Sequence, residues 1–232
     1  MPNLDRVVVV GASRGVGAAV AKHLLPHTTE LIGVSRSPAN FGKWIEADIS
    51  TKAGIEAVKN AVDNLSLDAL LYMGGTWESK AFTQDYSFEK CAEEDIERVI
   101  AVNLLAPIRL VKSLLPALKQ AANPKIIFMG ALSGLDNFPA REVANSASKW
   151  GLRGVVHALR EELRPDRIAV TVINPGNIGT PEVLEDLKHV GQPETNAIPL
   201  SDLLNVIDCV LALSNSTCIK EIQIPAMNAT GA

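Results

Sequence analysis

Among its 232 residues the chain has only three cysteines, four histidines and two tyrosines, and 4% of it is aromatic. Cys91, Cys209 and Cys218 fall into no metal-ligand or disulfide spacing, so an odd, unpaired set points to a reducing cytoplasm. The histidines, His23, His27, His157 and His189, are scattered, and no metal site is expected. Basic residues are not in excess: net charge is −4 and the pI is near 5.6, which disfavours a nucleic-acid surface. No apolar run is long enough to span a bilayer, and residues 7–10 beside Asp5 are too short for a signal peptide. No membrane partner is therefore expected. Repeats, low-complexity tracts and linkers are absent too, so residues 1–232 are expected to form one domain. Tyr72 and Tyr86 are the only phenols.

What is present is a soluble balance, 47% hydrophobic and 21% charged, arranged as strands alternating with helices. Residues 7–10 are four consecutive valines and predict a fully buried strand. Further strands are predicted at 31–35, 43–47, 69–72, 125–129, 168–173 and 221–224. Helices are predicted at 18–25, where Pro26 closes the first, and at 52–64, 93–121, 145–163 and 203–213. Pro107 and Pro116 should kink or break the third. The Pro- and Gly-rich stretch 176–199 is predicted to be an active-site loop. Such alternation implies an α/β fold: a Rossmann-type, doubly wound parallel sheet with helices on both faces.

The turn after the first strand reads Gly11-Ala12-Ser13-Arg14-Gly15-Val16-Gly17 and opens the first helix. Glycines there let backbone N–H groups approach a pyrophosphate, whose charge a helix N-terminus favours. The second strand ends in Ser35-Arg36, where an NAD-binding fold usually carries a carboxylate for the ribose 2′-hydroxyl. Arg36 and Arg14 would instead suit a 2′-phosphate, which makes NADPH the expected cofactor.

The spacing Gly-x-x-x-Gly-x-Gly resembles that of the short-chain dehydrogenase family, and the resemblance extends over nearly the whole chain. Asp48-Ile49 matches the family's adenine-holding pair, and Met73-Gly74-Gly75 stands at its Asn-Asn-Ala-Gly turn. Asn103 matches the asparagine that bends a helix and anchors a water to the catalytic lysine. The segment Asn174-Pro175-Gly176-Asn177-Ile178-Gly179-Thr180 matches the one whose backbone grips the nicotinamide carboxamide, with Thr180 near the phosphates. Two departures fall at the chemistry. Asn145-Ser146-Ala147-Ser148-Lys149 has an amide where the family's motif begins with tyrosine, and Ala131 stands at its catalytic serine. Ser133 replaces that serine only if the loop bends differently.

An asparagine donates a hydrogen bond but has no titratable proton. A ketone reductase needs a donor on the oxygen that gains charge as hydride arrives, whereas conjugate reduction sends hydride to the β-carbon and delocalises the charge into an enolate. The expectation is therefore an NADPH-dependent reductase of a conjugated C=C bond. Asn145 polarises the carbonyl with help from Ser133, and Lys149 holds the nicotinamide ribose. In this the chain resembles the tyrosine-lacking branch of the family that works in bacilysin-type and aeruginosin-type peptide biosynthesis. Two alternatives remain: a carbonyl reductase whose proton donor has moved to Tyr86, and a catalytically inactive NADPH-binding sensor or assembly protein. Trp77, Tyr86 and Phe138 are candidates for the wall around a small conjugated carbonyl substrate. Family resemblance also implies a homo-dimer or homo-tetramer through the helices at 93–121 and 145–163.

Overall fold

The strands are β1 (Leu4–Val10), β2 (Thr28–Ser35), β3 (Lys43–Glu46), β4 (Ala69–Tyr72), β5 (Lys125–Met129), β6 (Ala169–Pro175) and β7 (Glu221–Ile224), and the central ones are buried apolar runs. All pair in parallel in the order β3-β2-β1-β4-β5-β6-β7. The computed structural model describes residues 3–63, 65–136 and 138–228. The helices are α1 (Gly15–Leu24), α2 (Lys52–Val62), α3 (Glu93–Ile100), α4 (Ala106–Leu118), α5 (Val143–Glu162), α6 (Pro181–His189) and α7 (Leu200–Ala212).

Because side chains alternate along a strand, each central strand feeds two cores. Val8, Val10, Leu70, Tyr72, Ile126 and Phe128 pack with α2, α4 and α5 on one face. Val7, Val9, Leu71, Ile127 and Ile173 pack with α1 and α7 on the other. The sheet is thus doubly wound, as the run of buried valines implies. The strand order reverses between β1 and β4, which opens a crevice at their carboxyl ends. The loops that carry the glycine turn, Arg36, Asp48, Gly75, Ser133 and Thr180 follow the carboxyl ends of successive strands.

Two expectations need correction, and a third, the break expected at Pro107, is made specific. The segment 176–199 is not a plain loop, because it contains α6. Thr180 caps that helix by accepting from Val183 N–H, Pro181 begins it, Glu182 lies in its first turn and Lys188 and His189 in its last. These are ordinary start and stop signals, masked in the sequence by the surrounding Gly and Pro.

The helix at 93–121 is broken by a five-residue π-turn, Ala101–Leu105, between α3 and α4. Ala106 N–H bonds Ala101 O, five residues back. Val102 O thereby loses its usual donor, and its counterpart five residues on is Pro107, which has no N–H. The hydroxyl of Tyr72 donates to Val102 O at 2.6 Å and fills the gap. Pro107 therefore breaks the helix, while Pro116 sits inside α4 near its end.

Finally, Glu93–Leu118 is long and apolar enough, by length and composition, to cross a membrane. In this fold its residues Ala106, Leu110, Leu114 and Leu118 bury against the sheet. Its apolar positions recur at helical spacing rather than as a run, which is why a search for runs passes over it.

Candidate active site

The glycine turn is shaped by what stands opposite it. Gly11 has φ +84°, and a Cβ there would lie 2.8 Å from the backbone of Gly74 at the end of β4. Only glycine permits the two loops to approach this closely. Gly11 N–H bonds Val34 O, and the turn carries Ser13 and Arg14 into Gly15, Val16 and Gly17 at the start of α1. Arg14 and Arg36 are both exposed at this edge, and neither forms an ion pair among the described residues. The carboxyl of Asp48 is held low first by the Ser50 hydroxyl, then by Ser50 N–H and the nearby Arg36. Ile49 beside it is half-buried. Two unpaired guanidinium groups, a glycine cradle and a helix N-terminus fit a phosphorylated dinucleotide.

From the opposite side α6 reaches over this turn. The Glu182 carboxyl is held low by its own backbone N–H first and by the Thr180 hydroxyl, with Gly15 N–H and Arg14 adding to the effect. Pro175 ends β6, and Gly176 N–H bonds Ile224 O. Ile178 is buried and bridges Ile198. The segment from Pro175 to Thr180 is thus fastened to β7 and to Ile198, facing the glycine turn across the crevice.

Helix α5 carries Asn145 and Lys149 one turn apart, both buried. Lys149 Nζ donates to Met129 O at 3.1 Å, and burial pushes its pKa down to about 8. No carboxylate pairs with it among the described residues. Gly75 stands over it, for a Cβ on Gly75 would lie 3.7 Å from Nζ and 3.8 Å from Asn103 Oδ1. The remaining N–H bonds of Lys149 are free for an uncharged acceptor such as ribose hydroxyls.

After β5 the chain turns through a 3₁₀ segment, Leu132–Gly134. It brings Ser133 Oγ to 3.4 Å from Asn145 Nδ2. Asn145 keeps a second N–H, and Ser133 keeps its own hydroxyl proton. Side by side these are two neutral donors, neither able to titrate near neutral pH.

Asn103, in the π-turn, uses its side chain differently from the water anchor that resemblance suggests. Its Oδ1 accepts from Thr76 N–H at 2.9 Å, while Nδ2 donates to Thr76 O at 2.7 Å and to Ser148 Oγ at 3.1 Å. Ser148 Oγ in turn donates to Asn145 O at 2.7 Å. Ser148 escapes sequence reasoning because a serine within a helix carries no signal of its own.

The substrate-wall candidates divide. Tyr86 is buried, its hydroxyl accepts from Val143 N–H at 3.2 Å, and burial raises its pKa. This placement argues against a relocated acid, since the hydroxyl sits at the start of α5 and also donates to Glu78 Oε1 at 3.5 Å. Trp77 is half exposed and meets Phe82 edge-on, with ring centroids 5.8 Å apart. Phe138 lines an open cleft of about 500 Å³ with Leu132 and Leu135, the neighbours that flank Ser133's turn.

A second network steadies that turn. Arg153 on α5 pairs with Glu221 of β7 at 2.7 Å and donates to Gly134 O at 3.0 Å. Asn174 Nδ2 also donates to Glu221, and Asn174 Oδ1 lies where a Cβ on Gly130 would come within 1.9 Å. A side chain at Gly130 would have to displace the Asn174 amide.

Comparison with known proteins agrees with this geometry. The family model described as short chain dehydrogenase matches residues 5–189. The chain is 28% identical over 187 residues to the short-chain dehydrogenase/reductase olcF of Penicillium canescens, covering 76% of this chain and 70% of that one. It is 28% identical over 207 residues to the 3-dehydrosphinganine reductase TSC10B of Arabidopsis thaliana, covering 83% of this chain and 60% of that longer protein. The crystal structure of a metagenomic short-chain oxidoreductase in complex with NADP superposes with a TM-score of 0.75 at 26% identity, covering 95% of this chain and 96% of that one.

Proposed function

We propose that this chain, which belongs to the short chain dehydrogenase family, is an NADPH-dependent reductase of a conjugated C=C bond in an enal or enone. The observation that carries the reading is the fate of its two phenols. Tyr72 donates to Val102 O in the π-turn, and Tyr86 accepts from Val143 N–H and donates to Glu78 Oε1 at 3.5 Å, so both hydroxyls are engaged within the protein. Burial raises the pKa of each further. What remains beside Lys149 is the neutral pair Asn145 and Ser133.

When bound, NADPH supplies the hydride that the β-carbon receives. Asn145 Nδ2 and the Ser133 hydroxyl donate to the carbonyl oxygen as charge builds there, and the α-carbon takes its proton from water. Lys149 would hold the nicotinamide ribose through N–H bonds that no carboxylate among the described residues claims. The Pro175–Ile178 backbone would hold the carboxamide, Asp48 and Ile49 the adenine, and Arg14 and Arg36 the 2′-phosphate. A reaction of this type occurs in bacilysin-type and aeruginosin-type peptide biosynthesis. Within it, the alkenal double-bond reduction that helps form the bicyclic Choi residue of aeruginosins is the closest counterpart.

The test uses NADPH carrying deuterium at the transferable position and a conjugated enal. Label is expected on the β-carbon; label on a carbinol carbon overturns the reading. Arg36→Glu is expected to weaken NADPH binding by about 10- to 100-fold, the value of a lost charge-assisted contact, while NADH binding changes little. Titrating cofactor fluorescence measures both. We also propose a cytoplasmic protein that forms a homo-dimer or homo-tetramer through the helical segments 93–121 and 145–163, where Leu105, Ile108 and Trp150 are exposed. Light scattering giving a monomer at micromolar concentration would remove the second point, and fractionation the first.

A further inference from the structure

The N–H groups that open α5 are capped from outside the helix. Glu142, immediately before α5, makes no side-chain bond to its first turn. Instead Val143 N–H donates to the Tyr86 hydroxyl at 3.2 Å, and Ala144 and Asn145 N–H donate to Glu78 Oε1 at 2.7 and 3.2 Å. Glu78 is 1% exposed, and its other oxygen, Oε2, has no hydrogen-bond partner among the described residues. It has no cation in ion-pair reach among those residues either.

A serine or aspartate at the helix start would satisfy these N–H groups at far lower desolvation cost. A buried, half-satisfied carboxylate is a poor device for stability alone. The remote cap does something that a local one does not: it ties residues 76–86 to the peptide that carries Asn145. On the other side of that peptide, Asn145 O accepts from Ser148, which Asn103 holds while it clamps Thr76. Thr76 and Glu78, two residues apart, therefore grip Asn145 through its carbonyl and its N–H.

We propose that Glu78, seconded by Tyr86, is a positioning residue that sets the direction in which the Asn145 amide points toward Ser133. The inference rests on the reading of Asn145 as the donor to the substrate oxygen. Residues 76–90 are then the support of the reacting amide rather than a surface insertion.

Exchange and NMR use the full chain saturated with NADP⁺, and turnover uses the same chain with NADPH. In Glu78→Ala, amide exchange at Ala144 and Asn145 is expected to quicken about tenfold, with Leu152 and Val156 unchanged. The NMR signals of the Asn145 side-chain NH₂ should move. Turnover of a conjugated enal should fall about tenfold in kcat, with KM and NADPH affinity held within about twofold. Glu78→Gln keeps an oxygen for both N–H groups and should restore exchange protection and most of kcat. A folded Glu78→Ala variant with unchanged Asn145 signals and kcat overturns the proposal, as does a parallel loss of kcat, KM and cofactor affinity. If Glu78→Ala does not fold, Glu78→Asp, one methylene too short to reach, is expected to show the same losses, and wild-type behaviour there overturns it equally. If the wild type reduces no conjugated carbonyl, the reading of the reaction falls, and the exchange and side-chain signals decide Glu78 on their own.

Discussion

Replacing Lys149 by methionine is expected to stabilise the cofactor-free protein by ~3 kcal/mol at neutral pH and to abolish turnover. Burial lowers the lysine's pKa from 10.5 to about 8, and each unit is worth about 1.4 kcal/mol. Lys149 is fully enclosed, so solvent screening does not erode that figure. The sign follows from proton counting. Below pH 8 the ammonium is charged in both the folded and unfolded states, and the folded state bears the whole cost of desolvating it. Between about 8 and 10.5 the unfolded chain holds a proton that the folded chain has released, so the wild type gains stability as pH rises. The advantage of Lys149→Met should accordingly be largest at pH 7 and vanish above pH 10.5. Tyr72 and Tyr86, with raised pKa values, pull the other way above pH 10 in both proteins and cancel in the difference. Urea denaturation of both proteins at pH 7, 9 and 10.5 measures it; a constant offset, or none, removes the account.

Such a cost persists only if the ammonium does something that a thioether does not. Its single acceptor among the described residues is the Met129 carbonyl. The other donors face the space beneath Gly75, where ribose hydroxyls suit a buried cation better than another charge would.

The fold was legible where local pattern decides it. Residues 7–10 allow no exposed face, so a central strand was the only outcome, and the seven strands fall where their apolar runs lie. The glycine turn was legible because Gly11 meets a steric demand that no other residue meets. What escaped depends on contacts distant in sequence. Nothing in 76–90 marks Glu78 as a cap for a helix 66 residues later. Tyr86 reads as a loop residue until the start of α5 is laid beside it. The π-turn was half visible, since Pro107 announces a break, but its completion by Tyr72 needs β4 beneath it. Ser133 depended on whether the chain turned tightly after Ala131, and the turn is set by Gly134 lying within 3.0 Å of Lys149's backbone and Cβ for any added carbon.

Removing the Asn145 amide is expected to have a large effect on catalysis while leaving the cofactor site intact. A preorganised neutral donor aimed at a developing enolate oxygen is worth about 10²- to 10³-fold in kcat, so Asn145→Ala should lose about that much with conjugated enals while NADPH affinity stays put. The amide itself adds no pH dependence near neutrality, because it does not ionise. Asn145→Tyr tests the converse. A phenol one helical turn before Lys149 would have its pKa lowered by the ammonium, and the site would gain the acid that ketone reduction needs. Ser133 Oγ now lies 3.4 Å from the Asn145 amide, so a larger ring must displace that hydroxyl or pass beside it. Ala131→Ser would return a second donor upstream of the turn. The double variant should therefore gain ketone turnover as double-bond turnover falls, measured by NADPH consumption on matched saturated and unsaturated carbonyls. The loss with Asn145→Ala shows whether the amide acts, and the exchange in substrate preference shows what it acts on. If both ratios stay at the wild-type value, Asn145 is a bystander and the neutral-donor chemistry is wrong.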